Sequence, residues 1–133
     1  MKTQLQHVQI NVSDREAGLA FYRDLFAYFE FDAIEAGEDL VGFSDGSLIF
    51  WLMVAAPEHR DRGFHRKAPG LNHVAFRVSG RDDVDRFAAE FLTSRGIVPM
   101  SESPKEIPEY GGGYYAVYFE DPDRIKLEVM CNV

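Results

Sequence analysis

One nine-residue stretch occurs twice in this chain, 66 positions apart. Residues 71–79 (LNHVAFRVS) repeat residues 5–13 (LQHVQINVS), with five of nine positions identical, the histidine among them. Apolar and polar residues alternate in both copies, which is typical of a β-strand with one buried face. Each strand should then project its histidine, His7 or His73, from the other face. A duplicated unit predicts a fold built from two similar halves.

The segments after each repeat are also similar. After residues 13–16, which read as a capping box begun by Ser13, the first half predicts a helix and strands at 28–36, 40–43 and 48–54. After a similar cap at Ser79, the second half predicts a helix ended by Gly96, a strand at 97–100, a loop at 101–113 and a hairpin of 114–120 with 125–130. We therefore expect an α+β fold of two βαβββ modules in one domain: module one at 1–55, a linker at 56–70 and module two at 71–133.

Composition narrows the possible partners. The net charge of −8 disfavours nucleic acid, and the short basic run at 59–67 reads as a solvated linker that does not reverse this. The one cysteine, Cys131, cannot form an internal disulfide, and no apolar stretch approaches the length that a membrane span needs. We expect a soluble, cytoplasmic protein that acts on a small molecule, with neither nucleic acid nor membrane as a partner.

A carboxylate in the last strand suggests a metal site. In residues 125–130 the apolar positions alternate with Lys126, Glu128 and Met130, which should share the histidines' face. Glutamate is disfavoured in strands and costly to bury alone, so something should compensate Glu128. The set His7, His73 and Glu128 suits a divalent ion such as Fe, Mn, Ni, Co or Zn. The competing interpretation is hydrogen-bonded histidines and a glutamate paired with Lys126 or Arg77.

These features resemble the vicinal oxygen chelate superfamily, which contains glyoxalases, bleomycin-resistance proteins, fosfomycin-resistance enzymes and extradiol dioxygenases. The most specific motif is YFEDPDRIKLE at 118–128. The resemblance implies that two modules close a cup around a metal, either within one chain or between two exchanged chains of a homodimer. Trp51 stands where glyoxalase I has a fourth ligand, and it cannot ligate, which makes lactoylglutathione lyase activity doubtful.

The resemblance also suggests other site residues. Tyr118 lies ten residues before Glu128, like an active-site tyrosine of extradiol dioxygenases and fosfomycin-resistance enzymes, and is the candidate catalytic residue. The histidine that extradiol enzymes carry near the position of Tyr110 is missing. Strand parity adds a substrate-binding set on the same face. Its members are Gln9, Asn11, Trp51, Met53 and Arg77.

The sequence thus predicts a metal-dependent enzyme, a lyase, isomerase or dioxygenase, whose ion chelates two oxygen atoms of a small substrate and acts as a Lewis acid. Two alternatives remain open. One is a metal-free protein that binds a small ligand, similar to bleomycin-resistance proteins. The other is an Fe(II) extradiol-type dioxygenase.

Overall fold

The computed structural model describes all 133 residues, which form two compact units at 1–63 and 64–133. Each unit contains one four-stranded mixed sheet and a helical segment, so the predicted α+β class and its two β-sheet-plus-helix modules are confirmed. No helix is long and apolar enough to cross a membrane.

The strands of unit 1 are β1 (His7–Val12), β2 (Asp32–Glu35), β3 (Leu40–Ser44) and β4 (Ile49–Val54). They form a sheet in the order β1-β4-β3-β2, in which only the β1–β4 pair is parallel. A π-helical segment, Arg15–Leu19, continues into α1 (Ala20–Tyr28), and a 3-10 helix, Pro57–Arg62, follows β4.

The strands of unit 2 are β5 (His73–Arg77), β6 (Met100–Glu106), β7 (Tyr114–Glu120) and β8 (Lys126–Asn132). They repeat the arrangement of unit 1 in the order β5-β8-β7-β6, with β5 and β8 parallel. Its helical segment consists of α2 (Arg81–Phe87), a π-helical part, Ala88–Leu92, and a 3-10 turn, Thr93–Arg95; a second 3-10 turn, Pro108–Tyr110, precedes β7.

In each unit the helix covers one face of the sheet with aromatic side chains. In unit 1 the ring of Phe26 stacks on Phe43 with centroids 4.6 Å apart and packs against Phe50 at 5.2 Å. In unit 2 Phe87 packs against Phe119 at 5.3 Å. Each helix therefore buries its apolar face against its sheet. The opposite face of each sheet carries the histidine of the repeat, His7 or His73.

Four local predictions were wrong, and two of them concern helix caps. Asp14, rather than Ser13, caps the first helix by accepting from the amide of Ala17, because the helix begins one residue later. The second helix has Gly80, rather than Ser79, at its N-cap, with no side-chain cap.

The two remaining errors are strand boundaries. The predicted strand at 28–36 shortens to Asp32–Glu35, because α1 ends in a left-handed residue, Glu30, whose φ is 60°. The amide of Phe31 then bonds the carbonyl of Phe26 at 2.9 Å, which is the closing bond of a Schellman motif. In unit 2 the strand predicted at 97–100 lies at Met100–Glu106, within the region expected to be a loop.

Candidate active site

The polar face of unit 2 gathers the residues predicted around Glu128. In the parallel pair β5–β8, His73 lies opposite Lys126 and Ala75 lies opposite Glu128. In the β7–β8 hairpin, Tyr118 lies opposite Glu128. Directly paired residues share a face of a sheet, so the strand alternation places these side chains together. The sequence predicted this face correctly.

Glu128 is the buried charge at the centre of this face, with only 1% of its surface exposed. Tyr118 pairs with Glu128 in register across the hairpin, and the charge of this carboxylate helps to raise the pKa of the Tyr118 phenol. The hydroxyl of Tyr114 donates to Oε1 of Glu128 at 2.7 Å. Its Oε2 lies 3.3 Å from Nε2 of His73. The carboxylate is therefore compensated by the Tyr114 hydroxyl and the His73 imidazole, rather than by the ion pair with Lys126 or Arg77 that the alternative interpretation expected.

The orientation of His73 is fixed by the residue before it. Asn72 donates from Nδ2 to the carbonyl of Arg66 at 3.1 Å, which turns its Oδ1 toward the imidazole. Nδ1 of His73 lies 2.6 Å from that oxygen and therefore carries the proton that it donates. Nε2 is then the nitrogen that faces Glu128. Such a partner on the far ring nitrogen is what metal-binding histidines generally have.

Both tyrosines beside Glu128 are held as neutral phenols. Burial raises the pKa of Tyr114 and of Tyr118 well above the usual value, and the hydrogen bond and negative charge of Glu128 raise them further. Each hydroxyl therefore keeps its proton and can donate. Tyr114 is a site residue that the sequence reasoning missed, although it lies four residues before Tyr118 on the same strand and so shares its face.

Lys126 borders the same cluster without pairing directly with the carboxylate. Its Nζ lies 4.1 Å from the ring centroid of Tyr118, a cation–π contact. The pKa of Lys126 is lowered, mainly by burial and also by the charge of Arg66, although the negative charge of Glu128 acts in the opposite direction. Arg77 is exposed on the neighbouring strand, where it is paired in register with Met130.

The polar face of unit 1 carries the other predicted residues. Register pairs Gln9 with Trp51 and Asn11 with Met53, and the amide of Gln9 donates to the sulfur of Met53 at 3.7 Å. His7 is exposed, and its Nδ1 lies 2.5 Å from Oε1 of Gln6, the counterpart of Asn72 in the repeat.

Trp51 takes the place in unit 1 that Glu128 has in unit 2. Gln9 and Ala75 are repeat equivalents, and they pair with Trp51 and Glu128, respectively. The indole lies flat on β3, where a Cβ added to Gly42 would come within 2.7 Å of the ring. A glycine in this strand therefore makes room for the indole, whereas β7 has Tyr118 at the equivalent position.

The structure brings together two of the three predicted metal ligands, His73 and Glu128, within one unit. Within either unit, no three His, Cys, Asp or Glu side chains form a group that could hold a metal ion. His7 belongs to the other unit, so its place in the ligand set stays a prediction.

The fold agrees with that of known proteins. Residues 4–129 match the family model of the Glyoxalase/Bleomycin resistance protein/Dioxygenase superfamily, and the chain belongs to that superfamily. Its members bind small molecules and generally use a divalent metal.

Individual relatives span nearly the whole chain. The Bacillus subtilis protein YqjT is 29% identical over 128 residues, which are 96% of this chain and 98% of YqjT. The crystal structure of a candidate glyoxalase from Bacillus halodurans is 31% identical, with a TM-score of 0.86 over 96% of this chain and 94% of that one. The fosfomycin resistance protein FosX from Listeria monocytogenes is 22% identical, with a TM-score of 0.72 over 100% of this chain and 96% of that one, and is similar in fold.

Proposed function

We propose that this protein is a divalent-metal-dependent enzyme that acts on a small, oxygen-bearing substrate, with His73, Glu128 and His7 as metal ligands. The observation that carries the proposal is the contact between His73 and Glu128. Their facing atoms, Nε2 and Oε2, are 3.3 Å apart. Two ligands on one ion at bond lengths of about 2.0–2.2 Å lie roughly 2.9–3.5 Å apart, so the distance suits a shared ion.

The donor chemistry of the pair also suits a cation. Because Nδ1 of His73 donates to Asn72, Nε2 presents a lone pair unless the ring takes a second proton. A lone pair facing a buried carboxylate is repulsive, and a divalent cation between them relieves that repulsion. Tyr114 holds the other carboxylate oxygen, which leaves Oε2 as the ligand atom.

The proposal includes His7 on the strength of the sequence repeat. It is the counterpart of His73, and an amide oxygen likewise accepts from its Nδ1. When bound, a divalent ion supplies Lewis-acid polarisation of substrate oxygen atoms.

The protein's own residues bind and orient the substrate in this proposal. The Tyr118 phenol, which keeps its proton, donates a hydrogen bond to a substrate oxygen. Trp51 offers a flat apolar surface, and exposed Arg77 can pair with a carboxylate. Gln9, Asn11 and Met53 are proposed to line the substrate site.

Metal titration tests the proposal. Calorimetry of chelator-treated protein with Mn(II) or Zn(II) should show one site, and His73→Ala should weaken binding at least tenfold. His65→Ala is the matched control, because His65 is an exposed histidine of the same unit with no contact to Glu128. Equal affinity in wild type and His73→Ala would remove the basis of the proposal.

A metal-free ligand-binding protein is the second candidate, and one observation favours it. If the His73 ring carries a second proton, then Asn72, His73 and Glu128 form a fully satisfied chain without any metal. This candidate predicts no heat of metal binding and no rise in melting temperature when metal is added, so the same titration separates the two.

A further inference from the structure

A small basic cavity lies in unit 2, and its lining contains none of the residues proposed above to bind metal or substrate. Its volume is about 170 Å³, and its lining consists of Phe64, His65, Arg66, Lys67 and Arg124. Four of these five side chains are basic or can become so, and none is acidic, although the chain as a whole carries a net charge of −8. Such a local reversal of charge favours an anion.

One cation of this cavity, Arg66, is held in place by a carboxylate that also lies near Arg124. Arg66 is only 27% exposed, and its Nη1 lies 2.7 Å from Oε1 of Glu120. Nε of Arg124 lies 3.7 Å from the other oxygen of Glu120. The lining thus has three permanent cations, Arg66, Lys67 and Arg124, and Glu120 is the carboxylate that these contacts place beside them. An added anion would therefore meet a net positive charge. The sequence analysis interpreted the basic run at 59–67 as a solvated linker, and the contact of half-buried Arg66 with Glu120 corrects that for Arg66.

The backbone around the cavity is also ordered by hydrogen bonds. The amide of Lys67 donates to Nδ1 of His65 at 3.2 Å, and the carbonyl of Arg66 accepts from Asn72. The amide of Arg124 donates to the carbonyl of Asp121 at 3.0 Å in the β7–β8 turn. An ordered backbone fixes the points from which these side chains extend, which reduces the entropy lost when an anion binds.

The size of the cavity limits the ligand. Pockets for drug-sized molecules measure about 300–1,000 Å³, whereas about 170 Å³ corresponds to roughly five or six waters at about 30 Å³ each. That volume suits one compact oxyanion group. Guanidinium groups bind the paired oxygens of phosphate or carboxylate through parallel hydrogen bonds, and lysine adds a point charge.

We propose that residues 64–67 and Arg124 form a binding site for a small oxyanion group, either a phosphate or a carboxylate. The site contains none of the proposed metal ligands, so it stands independently of the proposed catalytic function.

Calorimetry with inorganic phosphate tests this inference. Phosphate is titrated into chelator-treated protein at constant ionic strength, with chloride as the blank and acetate as a second ligand. We expect one saturable site, and Lys67→Gln or Arg124→Gln should each weaken it about tenfold, because each removes a charged partner. Tighter binding of phosphate identifies a phosphate site, and tighter binding of acetate a carboxylate site.

Arg62→Gln is the matched control, since Arg62 belongs to the same basic run and does not line the cavity. It removes the same charge and should change affinity less than twofold. Thermal unfolding of each variant verifies that it is folded. Absence of saturable binding of both anions, or equal weakening by all three substitutions, would overturn the inference, the latter because it would show only diffuse attraction.

Discussion

Replacing Tyr114 with phenylalanine removes the hydroxyl that donates a hydrogen bond to Glu128, the most buried charged residue in the chain. That hydroxyl lies 2.7 Å from Oε1 of Glu128, which is 1% exposed, so the carboxylate has little access to solvent as a substitute donor. A hydrogen bond to a charged group contributes about 1.5–3 kcal/mol to stability. We therefore expect Tyr114→Phe to lower the free energy of unfolding by about 1.5–3 kcal/mol in metal-free protein at neutral pH.

The next residue supplies a matched control. Tyr115 donates to Oδ1 of Asp85 at 2.8 Å, but that carboxylate is exposed and can be hydrated instead. Tyr115→Phe should therefore cost less than about 1 kcal/mol. Urea denaturation of both variants, fitted with the same m-value, measures the difference between their free energies of unfolding. Equal costs would refute the reasoning, because they would show that burial of Glu128 does not make its hydrogen bond to Tyr114 important.

Three further predictions concern other parts of the molecule. Gly42→Ala should displace the indole of Trp51, the one tryptophan, and cost about 1–3 kcal/mol, with a shift in tryptophan fluorescence. Asp45→Ala should lower the free energy of unfolding at neutral pH, because hydrogen bonds from amides of the hairpin turn stabilise the charged carboxylate and lower its pKa. Urea denaturation at a series of pH values should show this loss of stability disappearing as the pH falls through the folded-state pKa of Asp45. Asn72→Ala should weaken metal binding about 10–100-fold in calorimetry by releasing His73.

Each of these predictions has its own control. Gly112→Ala adds a methyl group where no atom lies within 4 Å, so fluorescence and stability should stay unchanged; an equal loss would show that the methyl group acts without the indole. For Asp45→Ala, a cost that persists at acid pH would contradict the role of its charge. For Asn72→Ala, unchanged metal affinity would show that orientation of the imidazole is unimportant.

Much of the fold could be predicted because its signals are local. The alternation in residues 7–12 and 73–77 and the turn residues of the hairpins depend on near neighbours, and the structure confirms these elements. The first strand-boundary error arose because apolar residues just after the helix belong to its C-terminal cap rather than to a strand. Phe29 and Phe31 alternate like strand residues, but they follow α1 around the left-handed turn at Glu30.

The site could be predicted only in part, because its partners come from distant segments. Strand parity identified Glu128 and His73, which share a face through the register of β5 and β8. The contact between Arg66 and Glu120 joins residues 54 positions apart, and no local pattern indicates it. Tyr114 could have been found by extending the parity of β7 back from Tyr118.

The most direct test of the metal site is an anomalous scattering measurement on a crystal grown with Mn(II) or Zn(II). We predict one strong peak about 2.0–2.3 Å from both Nε2 of His73 and Oε2 of Glu128. An ion bound elsewhere, with His73 and Glu128 still in direct contact at 3.3 Å, would contradict the account.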